Sequence, residues 1–197
     1  MTTGVQAAPT REPSPNFTAR MTGLFWLLTV LTGTVAMIAR AGPLAVGVNL
    51  VSTACYAAAT VFAYHLLKPV NRNLSRLGMV FSLVGCTISA LAAVAPLGAK
   101  APTVAFLFFG LHCCTVGYLI FRSTFLPRAL GALMVFGGLG WLSFSVVTLL
   151  SPTLAKSLGP FLMIPGILGE VTLTFWLLVK GVNVERWNEQ ARATEHV

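Results

Sequence analysis

The stretch PTVAFLFFGLHCCTVGYLIF, residues 102–121, contains no Asp, Glu, Lys or Arg and is followed at once by Arg122. A helix rises about 1.5 Å per residue, so a run of this length crosses roughly 30 Å, the thickness of the hydrocarbon core of a bilayer. Its apolar and polar residues do not alternate, which argues against a strand of a membrane β-barrel. The stretch therefore predicts a transmembrane helix.

Five further apolar runs have the same character. The six predicted spans cover residues 22–38, 43–67, 77–97, 102–121, 128–150 and 158–179. Hydrophobic residues make up 56% of the 197-residue chain and charged residues only 9%, whereas soluble domains have roughly a quarter of their residues charged. The sequence predicts an all-α integral membrane protein, with a six-helix transmembrane bundle at residues 21–180.

Polar tails flank the predicted bundle. Residues 1–20 are rich in Thr, Pro and Ala without an apolar period, and we expect a disordered tail. Residues 181–197 mix charges with Val184 and Trp187, which is compatible with a short surface helix and equally with a solvated tail. The first run ends in Ala39-Arg40-Ala41, which resembles a signal-peptide cleavage site. We favour a retained first helix over a cleaved signal peptide, because the first apolar run and the tail before it are both long for a signal peptide.

The distribution of basic residues predicts the orientation. Ten of the thirteen Lys and Arg residues lie in, or directly beside, the two tails and the second-to-third and fourth-to-fifth connections. Cytoplasmic loops carry this excess, so both termini are expected in the cytoplasm, N-in and C-in, in the inner (plasma) membrane. The net charge of +8 then indicates anionic lipid headgroups rather than nucleic acid as partners. The residues expected to contact lipid headgroups are Lys68, Arg72, Arg76, Arg122 and Arg128.

Two ionisable residues stand out because they fall deep inside predicted spans. His112 and Glu170 each lie about 15–18 Å from the outer ends of the fourth and sixth spans, near the membrane midplane. An ionisable group at this depth is costly and indicates a functional site. The two side chains could share a proton, hold a cationic or amine ligand, or act as acid and base. Alternatively, each bonds a backbone carbonyl or hydroxyl and only fixes helix packing.

Two further residues are candidates for the same site. Thr174 shares a helix face with Gly166 and Glu170, where a neighbouring helix can approach closely. Trp141 lies in the middle of the fifth span, where its indole N–H needs a partner. It either forms the wall of a cavity near the His–Glu pair or packs in the core.

The sequence predicts no metal and no cofactor. Neighbouring residues on a helix point about 100° apart, so His112, Cys113 and Cys114 cannot converge on one metal ion. A haem held by two histidines is not favoured, because His65 and His112 lie at very different depths. The four cysteines all fall inside apolar runs, where they are expected to pack as small side chains.

Three segments carry a family resemblance. They are LKPVN at 67–71 followed by Asn73 and Leu74, FFGLHC at 108–113 continuing through GYLIFRS at 117–123 to Gly131, and GE at 169–170 with WLLVKGVN at 176–183. In them the chain resembles an uncharacterised bacterial family of multi-spanning membrane proteins, domain of unknown function 4386 (DUF4386), over roughly residues 18–187. The resemblance implies a multi-spanning fold and no particular reaction, ligand or site.

Three functions remain open on the sequence. The first is binding or conduction of a small hydrophobic or cationic ligand, or of a proton, at the midplane His–Glu site. The second is a membrane-embedded enzyme acting on a lipid or isoprenoid, although the chain has no phosphate loop or nucleophile elbow. The third is a structural or regulatory subunit that forms a homo-oligomer or binds another membrane protein through its small-residue helix faces.

Overall fold

The computed structural model of the protein describes residues 14–39, 42–95, 97–98 and 100–195, and in these ranges it consists of helices and short connections. The helices are α1 (Pro15–Ala39), α2 (Pro43–Leu67), α3 (Arg72–Val94), α4 (Ala101–Arg122), α5 (Arg128–Leu150), α6 (Pro152–Val179) and α7 (Val184–Glu195). Helices α1 to α6 are long and apolar enough to cross a membrane. The prediction of an all-α, multi-pass membrane protein is confirmed.

The helix bounds follow the predicted spans with one systematic difference. Helices α2 and α5 have the predicted bounds, whereas α1, α3 and α6 begin five to seven residues earlier, at Pro15, Arg72 and Pro152. These first turns contain polar residues, which lower the hydropathy without disfavouring a helix. In α3, for example, Asn71 caps the helix by accepting a hydrogen bond from the Leu74 backbone N–H at 2.9 Å.

The prediction of a disordered tail over residues 1–20 is wrong for residues 15–20, which are helical. Ser14 Oγ accepts a hydrogen bond from the Phe17 N–H at 3.3 Å, and Pro15 suits a first turn because its missing N–H needs no partner there. The turn is also anchored at a distance, since Asn16 Oδ1 accepts a hydrogen bond from Val182 N–H at 3.0 Å. Residues 1–13 of the predicted tail lie outside the described residues.

The six spanning helices close into a ring. Each packs against the next along the chain, and α6 packs against α1. Short connections make consecutive helices antiparallel neighbours. The starts of α1, α3 and α5 therefore lie at one end of the ring with the ends of α2, α4 and α6.

Helices α4 and α5 approach each other most closely at four glycines. A Cβ built at Gly131 would lie 2.6 Å from the Gly117 carbonyl oxygen, and one at Gly138 would lie 2.8 Å from the Gly110 carbonyl oxygen. Residues without side chains let two backbones come together, which is how membrane helices gain packing contacts without a hydrophobic driving force between them.

The end of the ring that holds the α2–α3 and α4–α5 connections is closed by α7. Gly181, at φ +67°, ends α6 in a left-handed conformation that suits glycine and turns the chain toward α7. The indole Nε1 of Trp187 then donates to the Leu66 carbonyl at 2.8 Å, and the Thr194 hydroxyl donates to the Pro69 carbonyl at 2.8 Å. The C-terminal segment is therefore a helix that is hydrogen-bonded to the bundle.

This closed end also holds the predicted lipid-contacting residues. Arg72 and Arg76 lie in the first turns of α3, Arg122 ends α4 and Arg128 begins α5, and all four are exposed, whereas Lys68 is half-buried.

Behind these basic residues the ring is filled by buried side chains, including Leu66, Leu119, Leu126 and Leu177. We call this region the packed half. Contact of its basic rim with anionic lipid stays a prediction.

Candidate functional site

A cavity of about 590 Å³ occupies the other half of the ring. It extends from the middle of the bundle at Glu170 to Gly42 at the start of α2, and all six spanning helices contribute to it. We call it the central cavity. Its wall consists of Thr29, Val30, Gly33, Thr34, Ala36, Gly42, Ala45, Val46, Asn49, Ser52, Thr53, Tyr56, Ser89, Ala93, Phe106, Phe109, Trp141, Met163, Ile167, Glu170 and Val171.

Glu170 of α6 lies at the deep end of the central cavity. It is surrounded by the bundle, yet part of its surface remains accessible through the cavity. Its Oε1 accepts a hydrogen bond from the Tyr56 hydroxyl at 3.4 Å and one from the Cys113 thiol at 3.2 Å. The Tyr56 bond is long compared with the roughly 2.5–2.7 Å of an O–H donor on a carboxylate, and the Cys113 bond comes from a thiol, which is a weak donor. The carboxyl is therefore only weakly held by the protein.

Tyr56 and Cys113 belong to the candidate site but are not among the residues that the sequence predicts for it. A phenol in the middle of the second span is nevertheless a signal, because its hydroxyl needs a partner in a dry environment. Cys113 was expected only to pack. In the structure both are buried, and they come from α2 and α4 to meet Glu170 of α6.

His112 faces away from the central cavity, toward α3. Its Nδ1–H donates to the Gly78 carbonyl oxygen at 2.8 Å, while its buried Nε2 has no hydrogen-bond partner among the described residues. The adjoining space measures only about 10 Å³, which excludes a ligand. His112 and Glu170 share no hydrogen bond in the described part of the chain. Both contact Tyr56: its hydroxyl donates to Glu170, and its ring meets the imidazole edge-on with the two ring centroids 5.9 Å apart.

Trp141 of α5 lies on the wall of the central cavity beside Glu170. Its buried Nε1 makes no hydrogen bond within the described residues, although the indole is near enough to interact with the Glu170 carboxyl. The ring stacks on Phe106 with centroids 5.1 Å apart. Gly166 makes this placement feasible, because a Cβ there would overlap the indole.

Thr174 lies one turn beyond Glu170, in the packed half. It is buried, and its hydroxyl oxygen has no partner among the described side chains and backbone. Its backbone carbonyl approaches α1 at Gly23, where a built Cβ would lie 3.0 Å from it. Thr174 therefore borders the α1–α6 contact and not the wall of the central cavity.

The described residues offer no metal site. Within them, no three His, Cys, Asp or Glu side chains converge as ligands. Cys55, Cys86, Cys113 and Cys114 are all free thiols. The side chains that meet at the deep end of the cavity are one carboxyl, one phenol, one thiol and one indole.

Comparison with known proteins gives a family without an assigned activity. The family described as domain of unknown function (DUF4386) matches residues 97–181, the segment that contains Cys113, Trp141 and Glu170. A protein of Archaeoglobus fulgidus described as uncharacterized is 31% identical over 125 residues, which cover 61% of this chain and 74% of that protein. No solved structure matches the chain.

Proposed function

The chain belongs to the family described as domain of unknown function (DUF4386), and from that premise we propose that this membrane protein binds a small, mainly apolar molecule in its central cavity, with Glu170 holding the polar group of that molecule. The observation that carries the proposal is the cavity of about 590 Å³ with a weakly bonded carboxyl at its deep end. Small-molecule sites are typically concave, mostly apolar and about 300–1,000 Å³ in volume, with a few polar groups for orientation.

Unsatisfied polar atoms on the cavity wall support the same proposal. Asn49 and Trp141 line the cavity, and their buried atoms Asn49 Oδ1 and Trp141 Nε1 have no hydrogen-bond partner among the described residues. A buried polar atom without a partner costs about 1–3 kcal/mol. A hydrogen bond that either atom forms with a molecule or a water in the cavity would offset part of that cost, so the two residues favour an occupied cavity.

Binding is better supported than acid–base catalysis by His112 and Glu170. Only Glu170 reaches the cavity, whereas His112 is engaged with the Gly78 carbonyl and has no space for a substrate beside it. A general acid and a general base both need hydrogen-bond reach of the reacting atoms. We therefore assign His112 to the packing of α4 against α3 and Glu170 to the ligand.

A hydrophobic carbodiimide tests access to Glu170. N,N′-dicyclohexylcarbodiimide reacts with protonated carboxyl groups, and the other acidic residues of the chain are Glu12, Glu185, Glu189 and Glu195, all outside the spanning helices. A carboxyl in a low-dielectric cavity without a counter-charge is more stable as the neutral acid. We expect peptide mass spectrometry to find the adduct on Glu170, and to find none in Glu170→Gln.

Two tryptophan variants give the control. Val46→Trp fills the central cavity and should reduce labelling of Glu170 severalfold, whereas Val61→Trp adds the same side chain to an exposed position of the same helix and should not. One outcome in the wild-type protein would contradict the proposal: a water-soluble carbodiimide labels the tail glutamates, but the hydrophobic reagent does not label Glu170. The cavity would then admit no small apolar molecule.

We also propose that both termini are cytoplasmic, which places the packed half and α7 toward the cytoplasm and the central cavity toward the outside. The support is the excess of Lys and Arg at the α7 end. Green fluorescent protein fused after Val197 should fluoresce in a bacterial host, and alkaline phosphatase at the same position should be inactive. The reverse pair of results would place the cavity mouth toward the cytoplasm and leave the binding proposal standing.

A further inference from the structure

We infer that the polar group held at Glu170 is an organic cation, a protonated amine or quaternary ammonium attached to an apolar body. This inference rests on the proposed function and names its ligand class. Three features of the central cavity carry it: the charge of its wall, the arrangement of its aromatic rings, and the way its hydroxyl groups are already bonded.

Among the residues that the structure describes, the wall of the central cavity has one carboxyl and no Lys, Arg or His. Glu170 is the only acidic residue within α1 to α6. The two groups that hydrogen-bond to it, a phenol and a thiol, are neutral donors. A carboxylate here lacks a counter-charge, and a buried charge is tolerated when it is paired. A cationic ligand supplies that pair, whereas an anionic ligand would be repelled.

Two aromatic pairs flank the carboxyl. Tyr56 packs against Phe109 with ring centroids 4.8 Å apart, and Phe106 stacks on Trp141 at 5.1 Å. All four rings line the cavity. Aromatic faces attract ammonium groups, tryptophan and tyrosine most strongly, and this attraction grows when the site is dry. Rings from α2, α4 and α5 around a carboxyl from α6 thus match a cation better than a neutral polar group.

The rest of the wall favours an apolar ligand body. The hydroxyls of Thr29, Ser52 and Thr53 all donate to backbone carbonyls, at 2.9, 3.1 and 2.9 Å. Their donors are therefore already used within the protein. From Glu170 toward Gly42 the wall continues with small and aliphatic side chains such as Val46. The cavity fits an amphiphilic cation whose charged head lies deepest.

A matched pair of probes tests the charge. Benzyltrimethylammonium and neopentylbenzene have the same shape. The first has a positively charged nitrogen at the position where the second has a neutral carbon. Each would be titrated calorimetrically into the protein in nanodiscs, with the titration of empty nanodiscs subtracted. We expect the cation to bind at least about tenfold more tightly than its neutral isostere.

Three variants show which residues cause the preference for the cation over its neutral isostere. Glu170→Gln should remove the preference for the cation, and Phe106→Leu should reduce it by a few fold, since one ring face is lost. Glu189→Gln makes the same chemical change in α7, away from the cavity, and should match wild type. Circular dichroism and gel filtration of each variant establish that it is folded.

The outcomes separate this inference from the proposed function. Equal binding of both probes, unaffected by Glu170→Gln, would overturn the cation inference while supporting a ligand-binding cavity. Binding of neither probe, together with no carbodiimide adduct on Glu170, would overturn both. Preference for the cation that survives in Glu170→Gln would also overturn the inference, because the charge recognised would then lie elsewhere.

Discussion

Binding of benzyltrimethylammonium should release about one proton per chain from the wild-type protein and none from Glu170→Gln. Before the cation binds, the donors to the carboxyl among the described residues, Tyr56 and Cys113, are neutral, and the neutral acid is the more stable form in a low-dielectric site. The cation pairs with the carboxylate, so the acid O–H bond breaks and the proton passes to water. Calorimetric titrations in two buffers with different ionisation enthalpies count the released proton.

The released proton has to be assigned to Glu170 and not to a neighbouring titratable group. Tyr56 faces it from α2 and Cys113 from α4, whereas the contribution of α5 at this level, Trp141, does not titrate. Tyr56→Phe and Cys113→Ala should therefore still release the proton. Cation binding without any proton release in the wild type would contradict the proposed exchange and would mean that the carboxyl is already ionised in the empty protein.

Replacing Gly131 by alanine should lower the free energy of unfolding by about 1–3 kcal/mol, the usual cost of overpacking. The new Cβ would lie 2.5 Å from the Phe121 backbone nitrogen and 2.6 Å from the Gly117 carbonyl oxygen. Backbone atoms cannot rotate away as side-chain ends do, so α4 and α5 would have to separate. Equilibrium unfolding in mixed detergent–dodecyl sulfate micelles measures the loss.

Gly47 of α2 offers the matched control. A Cβ built there meets nothing within 4 Å, so Gly47→Ala should leave stability unchanged or raise it by about 0.5–1 kcal/mol through its better helix propensity. Equal stability of the two alanine variants would contradict the close α4–α5 packing. Because α4 and α5 also carry Cys113 and Trp141, we expect Gly131→Ala to weaken ligand binding as well.

The spans could be predicted because hydropathy and length are properties of consecutive residues. Residues 43–67 and 128–150 were predicted as spans with the bounds that α2 and α5 have, since an apolar run of about 20 residues must form its hydrogen bonds internally in lipid. The early start of α1 at Pro15 was missed because its anchoring contact, Asn16 with Val182, joins the two ends of the chain.

The members of the site could be predicted only in part. Glu170 and Trp141 are predicted as candidates from their depth in apolar runs, and both line the central cavity. His112 has a comparable depth but bonds to Gly78 on the opposite side of Tyr56. Depth along a helix follows from counting residues, whereas the direction of a side chain around the helix axis does not.

The sequence alone determined that the chain has six apolar helices of spanning length and that one carboxyl lies deep among them. Only the tertiary structure decided that α6 closes a ring with α1, that Tyr56 and Cys113 meet Glu170, and that His112 turns toward α3. The physical reason is that lipid is as apolar as the interior of the bundle. A membrane helix therefore carries little amphipathic signal for its inner face, and that face is set by packing against its neighbours.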